Sequence, residues 1–289
     1  MNPSSTAAPP EAIWINGRPG QDVTVLDRGL QYGDGLFETM ACCSGRVRFL
    51  TLHLERLRQG CARLGLRTLE AEPLRREIDA FSKQCGDATL KLIITRGAAF
   101  ARGYAVSGQE EPTRILLRYR PLAPDPAAGA GVRVRLAHLR LGENPVLAGI
   151  KHLNRLEQVL ARREWSDPDI AEALLFSSSG LLISGTMSNV FLVRFGRLAT
   201  ARLDRCGVAG VMRAAVIRTA PAAGISLEER ALELSDLDDA EEIFLTNALS
   251  AIRPVRELAG RPHSVGPVTR RLQEALEPFL SGARELPGA

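Results

Sequence analysis

Ala148-Gly-Ile-Lys-His-Leu-Asn-Arg-Leu-Glu-Gln158 contains one of only three lysines in a chain of 289 residues, the others being Lys83 and Lys91. The remaining strong bases are all arginine. A guanidinium stays protonated and cannot be a nucleophile, whereas an ammonium gives up its proton when desolvated, as imine chemistry requires. Lys151 therefore asks for a chemical explanation. On this fact alone, a solvated charge at the start of a helix is an equally good reading. The spacing after it predicts a helix that Lys151 opens and that runs through Arg163.

Working outward, the composition is that of a globular chain, 45% hydrophobic and 24% charged, long enough for two domains. The formal charge of +4 comes from arginines scattered along the chain, and three Tyr and two Trp offer few stacking groups. Nucleic-acid binding is not indicated, while small anionic ligands fit. Five cysteines (Cys42, Cys43, Cys61, Cys85, Cys206) show no C-x-x-C or Cys/His ligand spacing. They read as free thiols, with no metal site and no disulfide framework. Residues 1–10 lack a basic or apolar leader and read as a loose tail, and nowhere do 18 apolar residues run together. These features lead us to expect a cytoplasmic protein with no membrane partner.

The densest cluster of breakers, Pro121-Leu-Ala-Pro-Asp-Pro-Ala-Ala-Gly-Ala-Gly131, is the expected linker between a small first domain, 11–120, and a larger second one, 132–289. In the first, Leu36-Phe-Glu-Thr-Met-Ala-Cys42 and Arg46-Val-Arg-Phe49 read as a hairpin. Leu54, Leu57, Cys61 and Leu64 then recur at helical spacing up to Gly65. A second helix is expected over Leu74 to Cys85, and Thr89 to Thr95 reads as a strand. In the second, Val132 to Leu136, Ala173 to Phe176, Leu181 to Ile183, Asn189 to Val193 and Glu242 to Thr246 read as strands, with a helix beginning near Val211. Hairpins mixed with separated helices predict α+β architecture in both halves.

Four segments carry groups suited to a cofactor bearing a phosphate and an aldehyde. Lys151 is the imine-forming amine. Gly207-Val-Ala-Gly-Val-Met-Arg213 is a glycine-rich turn into a helix whose first N–H groups can hold a phosphate, a feature that is common as a plain packed turn. Arg56, if its guanidinium faces inward, can pair with the phosphate bidentately; on an exposed face it would be a solvated charge. Leu182-Ile-Ser-Gly-Thr-Met-Ser-Asn189 is a polar island between strands.

Asp27-Arg-Gly-Leu-Gln-Tyr-Gly-Asp-Gly-Leu-Phe-Glu-Thr39, His53-Leu-Glu-Arg-Leu57, Lys151-His-Leu-Asn-Arg-Leu-Glu157, Ser184-Gly-Thr-Met-Ser-Asn189 and Gly207-Val-Ala-Gly-Val-Met-Arg213 follow one another in the order of the fold type IV pyridoxal-phosphate enzymes. The chain resembles that family over nearly its whole length, and the lysine and Gly-Val-Met-Arg motifs make it most similar to the family's aminodeoxychorismate lyases. The resemblance implies a two-domain α+β fold with the cofactor, pyridoxal 5'-phosphate, between the domains. It implies Lys151 as the covalent attachment point and Arg56 as a phosphate ligand. Backbone N–H groups of Val211 and Met212 would serve the same phosphate, with the loop at Asn247 and Ala248 closing it. Arg102 and Tyr104 fall where relatives bind a substrate carboxylate, and Tyr32 would line that pocket. A homodimer and the conversion of 4-amino-4-deoxychorismate to 4-aminobenzoate and pyruvate, a step of folate synthesis, are implied likewise.

In one place the chain departs from the pattern. Where relatives carry a glutamate that keeps the cofactor's pyridine nitrogen protonated, this sequence has Ser184. A neutral hydroxyl does not stabilise a pyridinium by charge pairing, so the ring becomes a weaker electron sink unless another carboxylate takes the role. That disfavours transamination more than an elimination driven by aromatisation. The alternatives are a D-amino-acid or branched-chain aminotransferase of the same fold, and a cofactor-binding protein without catalysis.

Overall fold

The computed structural model describes residues 9–286 except 68–69, 85, 100–101 and 122–126. Most of the expected tail, the middle of the expected linker and the expected helix end at Cys85 thus lie outside the described residues. The chain divides into two compact units: residues 1–123 with 151–153 and 281–283, and residues 124–150 with 154–280 and 284–289.

The first unit is built on a six-stranded antiparallel sheet. In chain order its elements are β1 (Ala12–Ile15), β2 (Arg18–Pro19), α1 (Arg28–Tyr32), β3 (Gly35–Cys43), β4 (Arg46–Val47), α2 (Leu50–Leu64), α3 (Ala71–Ser82), β5 (Ala88–Thr95) and β6 (Thr113–Tyr119). The sheet order is β2-β1-β6-β5-β3-β4. Side chains alternate across a strand, so β3 turns Leu36, Glu38, Met40 and Cys42 to the core and Phe37, Thr39 and Ala41 to the other face. β5 follows the same rule, burying Leu90, Leu92 and Ile94 and leaving Lys91 and Ile93 half-buried. Residues opposite one another across the pair, Phe37 with Ile93 and Thr39 with Lys91, share a face.

Helix α2 packs on β3 and buries Leu54, Leu57 and Cys61 of the expected spacing together with Leu50, while Leu64 is half-buried. Gly65 ends it in the left-handed region. The last carbonyls, of Leu64 and Gly65, accept from the Arg96 guanidinium at 2.8 Å each, which satisfies acceptors that have no partner inside the helix.

The second unit holds a nine-stranded mixed sheet. Its elements are α4 (Ala127–Ala130), β7 (Val132–Leu141), α5 (Leu156–Arg162), β8 (Ile170–Ser177), β9 (Leu182–Gly185), β10 (Asn189–Arg194), β11 (Arg197–Ala201), α6 (Val211–Thr219), β12 (Leu227–Arg230), α7 (Leu234–Asp238), β13 (Glu242–Asn247), β14 (Ala251–Leu258), β15 (Arg261–Pro262) and α8 (Pro267–Leu276). The order is β12-β11-β10-β13-β14-β7-β8-β9, with β15 on β14. β8 is covered on both faces: Leu174 joins a core with Val132, Leu192 and Val255, while Leu175 joins one with Ala161, Trp165 and Ile183. This explains its unbroken apolar run.

One expectation is corrected. Lys151 does not open a helix; α5 begins only at Leu156. The backbone before it is used elsewhere, since the Lys151 carbonyl accepts from Phe37 N–H and Leu153 N–H donates to the Gly35 carbonyl, both at 3.0 Å. Groups committed to a β-bridge cannot also serve an i to i−4 ladder. Among the described residues no helix is long and apolar enough to cross a membrane, and Cys42, Cys43, Cys61 and Cys206 form no disulfide.

Candidate active site

The bridge between residues 151–153 and the start of β3 places Lys151 beside Phe37, with Nζ 4.3 Å from the ring centroid. The approach depends on Gly35, where a Cβ would stand 2.4 Å from the Ile94 carbonyl oxygen and 2.9 Å from Leu153. An ammonium over an aromatic face is attracted by the ring quadrupole.

On the core side of β3, Glu38 is 2% exposed and gathers two bases from α2. His53 Nδ1 lies 2.6 Å from one carboxylate oxygen, Arg56 Nε donates to the other at 2.8 Å, and Arg56 Nη2 donates to the first. Burial alone would raise the Glu38 carboxyl, but the charge of Arg56 and the hydrogen bonds from His53 and Arg56 outweigh it and bring the pKa down to about 2. An ionised carboxylate only accepts, so Nδ1 of His53 carries the proton. Burial, with the nearby charges of Arg56 and Lys151, lowers the His53 pKa despite Glu38, and its Nε2 is buried without a partner. Arg56 therefore faces inward, with the Glu38 carboxylate fixing its orientation.

A second ionic cluster organises the segment expected to meet substrate. Asp34 accepts from Arg28 Nε at 2.9 Å and from Arg96 Nε at 2.7 Å and Nη2 at 3.1 Å. Burial would raise its carboxyl, yet the hydrogen bonds of Arg96 and Arg28 hold it below its ordinary value. Arg28, 3% exposed, also donates to the carbonyls of Gly103 and Tyr104 at 3.1 and 3.2 Å and lies 4.9 Å from the Tyr32 ring centroid. Tyr32 and Tyr104 meet edge to face at 5.4 Å. Arg102 is exposed. The structure thus brings Tyr32 and Tyr104 together and ties the backbone after Arg102 to the helix that carries Tyr32.

In the second unit, Asn189 accepts from Gly210 N–H at 3.1 Å and donates to the Val208 carbonyl at 2.8 Å. This shapes the turn into α6, whose start has no side-chain cap. The first N–H groups of a helix, here those of Val211 and Met212, have no partner within it. A side chain at Gly210 would break this bracing, since its Cβ would stand 2.1 Å from Asn189 Oδ1. Gly149 bridges Val208, with N–H···O bonds of 3.0 Å to and from Gly207 and Ala209. Asn247 Oδ1 accepts from Leu249 and Ser250 N–H at 3.0 and 2.8 Å, which folds the loop that follows β13.

Ser184, 8% exposed, lies on β9 just before the Thr186–Ser188 turn. The carboxylate in that turn is Glu172, fully buried on β8; one of its oxygens accepts from Met187 N–H at 3.0 Å and from the Ser188 and Thr186 hydroxyls at 2.8 and 3.4 Å. Burial raises the Glu172 carboxyl against these bonds. It is spent on holding the turn.

A family model described as amino-transferase class IV matches residues 35–258, from the first residue of β3 to the last of β14. The chain belongs to that family. It is 36% identical over 271 residues to the aminodeoxychorismate lyase of Vibrio harveyi, covering 90% of this chain and 98% of that one. Among solved structures it is similar to the 4-amino-4-deoxychorismate lyase of Pseudomonas aeruginosa, with a TM-score of 0.89 and 46% identity over 93% of this chain and 99% of the other. A putative branched-chain-amino-acid aminotransferase of Methanocaldococcus jannaschii is 31% identical, with 91% and 94% covered. The sequence reading missed Phe37 beside Lys151, Glu38 and His53 beside Arg56, Asn189 behind the α6 turn and Glu172 behind the Thr186–Ser188 turn. A charged residue in the inward phase of an apolar strand, as at Glu38, was a signal available to find the first of these.

Proposed function

We propose that the protein is a pyridoxal-phosphate-dependent lyase, acting as a cytoplasmic homodimer, that converts 4-amino-4-deoxychorismate to 4-aminobenzoate and pyruvate in folate synthesis. The observation that carries this is the 46% identity with the Pseudomonas aeruginosa lyase over nearly both chains. Within the fold, the residues fit the cofactor: Arg56 is held inward by Glu38, Gly210 and Asn189 shape the turn into the start of α6, and the Lys151 amine lies over the Phe37 ring.

When bound, pyridoxal phosphate supplies an aldehyde that joins an amine and a ring that withdraws electrons from the neighbouring C–H bond. Arg56 and the N–H groups of Val211 and Met212 would neutralise its phosphate, and Ser184 would face its ring with a hydroxyl. Lys151 would be its covalent anchor, and Nζ, once free, would be the base that accepts the proton from the amine-bearing carbon of the substrate. As that C–H bond breaks, the neighbouring C–O bond breaks too. Its electron pair leaves with the enolpyruvyl oxygen, the ring becomes aromatic, and pyruvate departs after taking up a proton. Arg102 and Tyr104, braced by Arg28, would orient a substrate carboxylate beside Tyr32.

Incubation of the holoenzyme with 4-amino-4-deoxychorismate should release 4-aminobenzoate and pyruvate in equal amounts. No 4-aminobenzoate, together with rapid exchange of amino groups between alanine and 2-oxoglutarate, would replace the lyase by the aminotransferase reading.

A further inference from the structure

A buried hydroxyl in the second unit lacks a partner. Thr246, 2% exposed near the end of β13, has an Oγ1 that is buried and unbonded, whereas the buried hydroxyls of Thr95, Thr200 and Thr269 donate to protein oxygens at 2.7, 2.8 and 2.6 Å. A hydroxyl shut away from water without a partner costs free energy, and an unpaired group of this kind in a folded protein calls for a reason. The strand register fixes where it points. Thr246 is the cross-strand partner of Asn189 on β10, and two residues along each strand Phe244 and Phe191 are partners too, with rings stacked at 4.9 Å. Partners share a face, so Thr246 lies with Asn189, Phe191 and Phe244, opposite the face on which Val190, Leu192, Ile243 and Leu245 join the core with Leu174. Asn189 uses its face to hold Gly210 N–H and the Val208 carbonyl, and α6 packs on β13. The Thr246 hydroxyl is thus aimed at the turn into α6, whose first N–H groups have no partner within the helix. At this end of the sheet the Asn247 side chain is bonded to its own loop, and Val211, Met212 and Ala248 carry no hydroxyl, so Thr246 can add an O–H donor that they cannot.

We propose that Thr246 donates its hydroxyl proton in a hydrogen bond to the phosphate of the cofactor at the start of α6. The proposal rests on the reading of that helix start as the phosphate site, and it adds a side-chain donor to the backbone N–H groups of Val211 and Met212. A hydroxyl with no acceptor in the protein is free to turn to a bound anion, and a hydrogen bond to a charged acceptor is stronger than one to a neutral carbonyl. The same hydroxyl therefore destabilises the apoprotein and stabilises the complex with the cofactor, an asymmetry that a group serving only the fold would not show.

The test compares the whole wild-type chain with Thr246→Val, which keeps the branched shape and removes the hydroxyl, and with Thr246→Ser, which keeps the hydroxyl. Apoprotein titrated with pyridoxal phosphate and followed by absorbance should bind about ten- to hundredfold more weakly in Thr246→Val, and near wild type in Thr246→Ser. Pyridoxal, which has the same aldehyde but no phosphate, should bind all three proteins alike. In urea, the Thr246→Val apoprotein should unfold at a midpoint equal to or above that of wild type, because an unpaired polar group has been replaced by an apolar one. Its midpoint should rise less than that of wild type when pyridoxal phosphate is added. An unchanged affinity for pyridoxal phosphate, an equal loss of affinity for pyridoxal, or a Thr246→Val apoprotein that unfolds earlier or does not fold overturns the proposal, since the hydroxyl then serves the fold. If wild type binds pyridoxal as tightly as pyridoxal phosphate, the reading of the α6 start as a phosphate site fails, and the proposal with it.

Discussion

Replacing Glu38 by glutamine tests whether the carboxylate under β3 sets Arg56. The change keeps shape and one acceptor oxygen, and it puts an N–H donor where Glu38 now accepts from Arg56 or from His53. Both pair members are buried, the Glu38 side chain 2% and that of Arg56 12% exposed, so solvent screens little of the loss. Removing one member of a buried ion pair costs about 3 to 5 kcal/mol. The titration points to a similar size: a carboxyl that moves from 4.5 to about 2 on folding stores roughly 3 kcal/mol. Because the folded pKa is depressed, that stability is complete above the unfolded value and is lost as pH falls through the window between them. Urea unfolding should therefore separate wild type and Glu38→Gln by about 3 kcal/mol at pH 7, with the gap closing as pH falls from 4.5 toward 2. His53, buried neutral with a lowered pKa, adds its own loss of stability as pH falls below 6.5. Titration of the apoprotein with pyridoxal phosphate, followed by absorbance, should show affinity reduced about tenfold or more. A gap under about 1 kcal/mol that does not change with pH, with unaltered cofactor affinity, would refute the reasoning.

Gly210→Ala should destabilise the protein by about 1 to 3 kcal/mol, since the new Cβ collides with Asn189 Oδ1. It should also weaken cofactor binding; a thermal shift without loss of cofactor affinity would detach the start of α6 from the phosphate. Ser184→Glu should raise the rate at which D- or L-alanine converts the cofactor to its aminated form, read by absorbance, with 4-aminobenzoate formation similar or lower. If wild type already reacts with alanine as fast as it forms 4-aminobenzoate, the argument from Ser184 is wrong.

The helix α2 was legible because its apolar spacing is local, and the same holds for the alternation that gave β3 and β5. The segment around Lys151 misled for the same reason. Ile150, Leu153, Leu156 and Leu160 recur at helical intervals, yet Leu156 is 76% exposed, and residues 151–153 pair with a strand more than a hundred positions earlier. Such long-range pairing leaves no local trace. Glu38 and Glu172 interrupt apolar strands in their inward phase, a conflict between pattern and charge that marks functional or bracing groups. Phe37 as a platform for Lys151 could not be read locally, because it depends on the bridge to His152.

The central claim is that the amine of Lys151 holds the cofactor and moves the proton. Borohydride reduction of the holoenzyme followed by peptide mapping tests it most directly. The account predicts one pyridoxyl group, on Lys151, and its absence from a folded Lys151→Arg protein, whose guanidinium can form no imine. A label on Lys91 or Lys83 with none on Lys151 would contradict it.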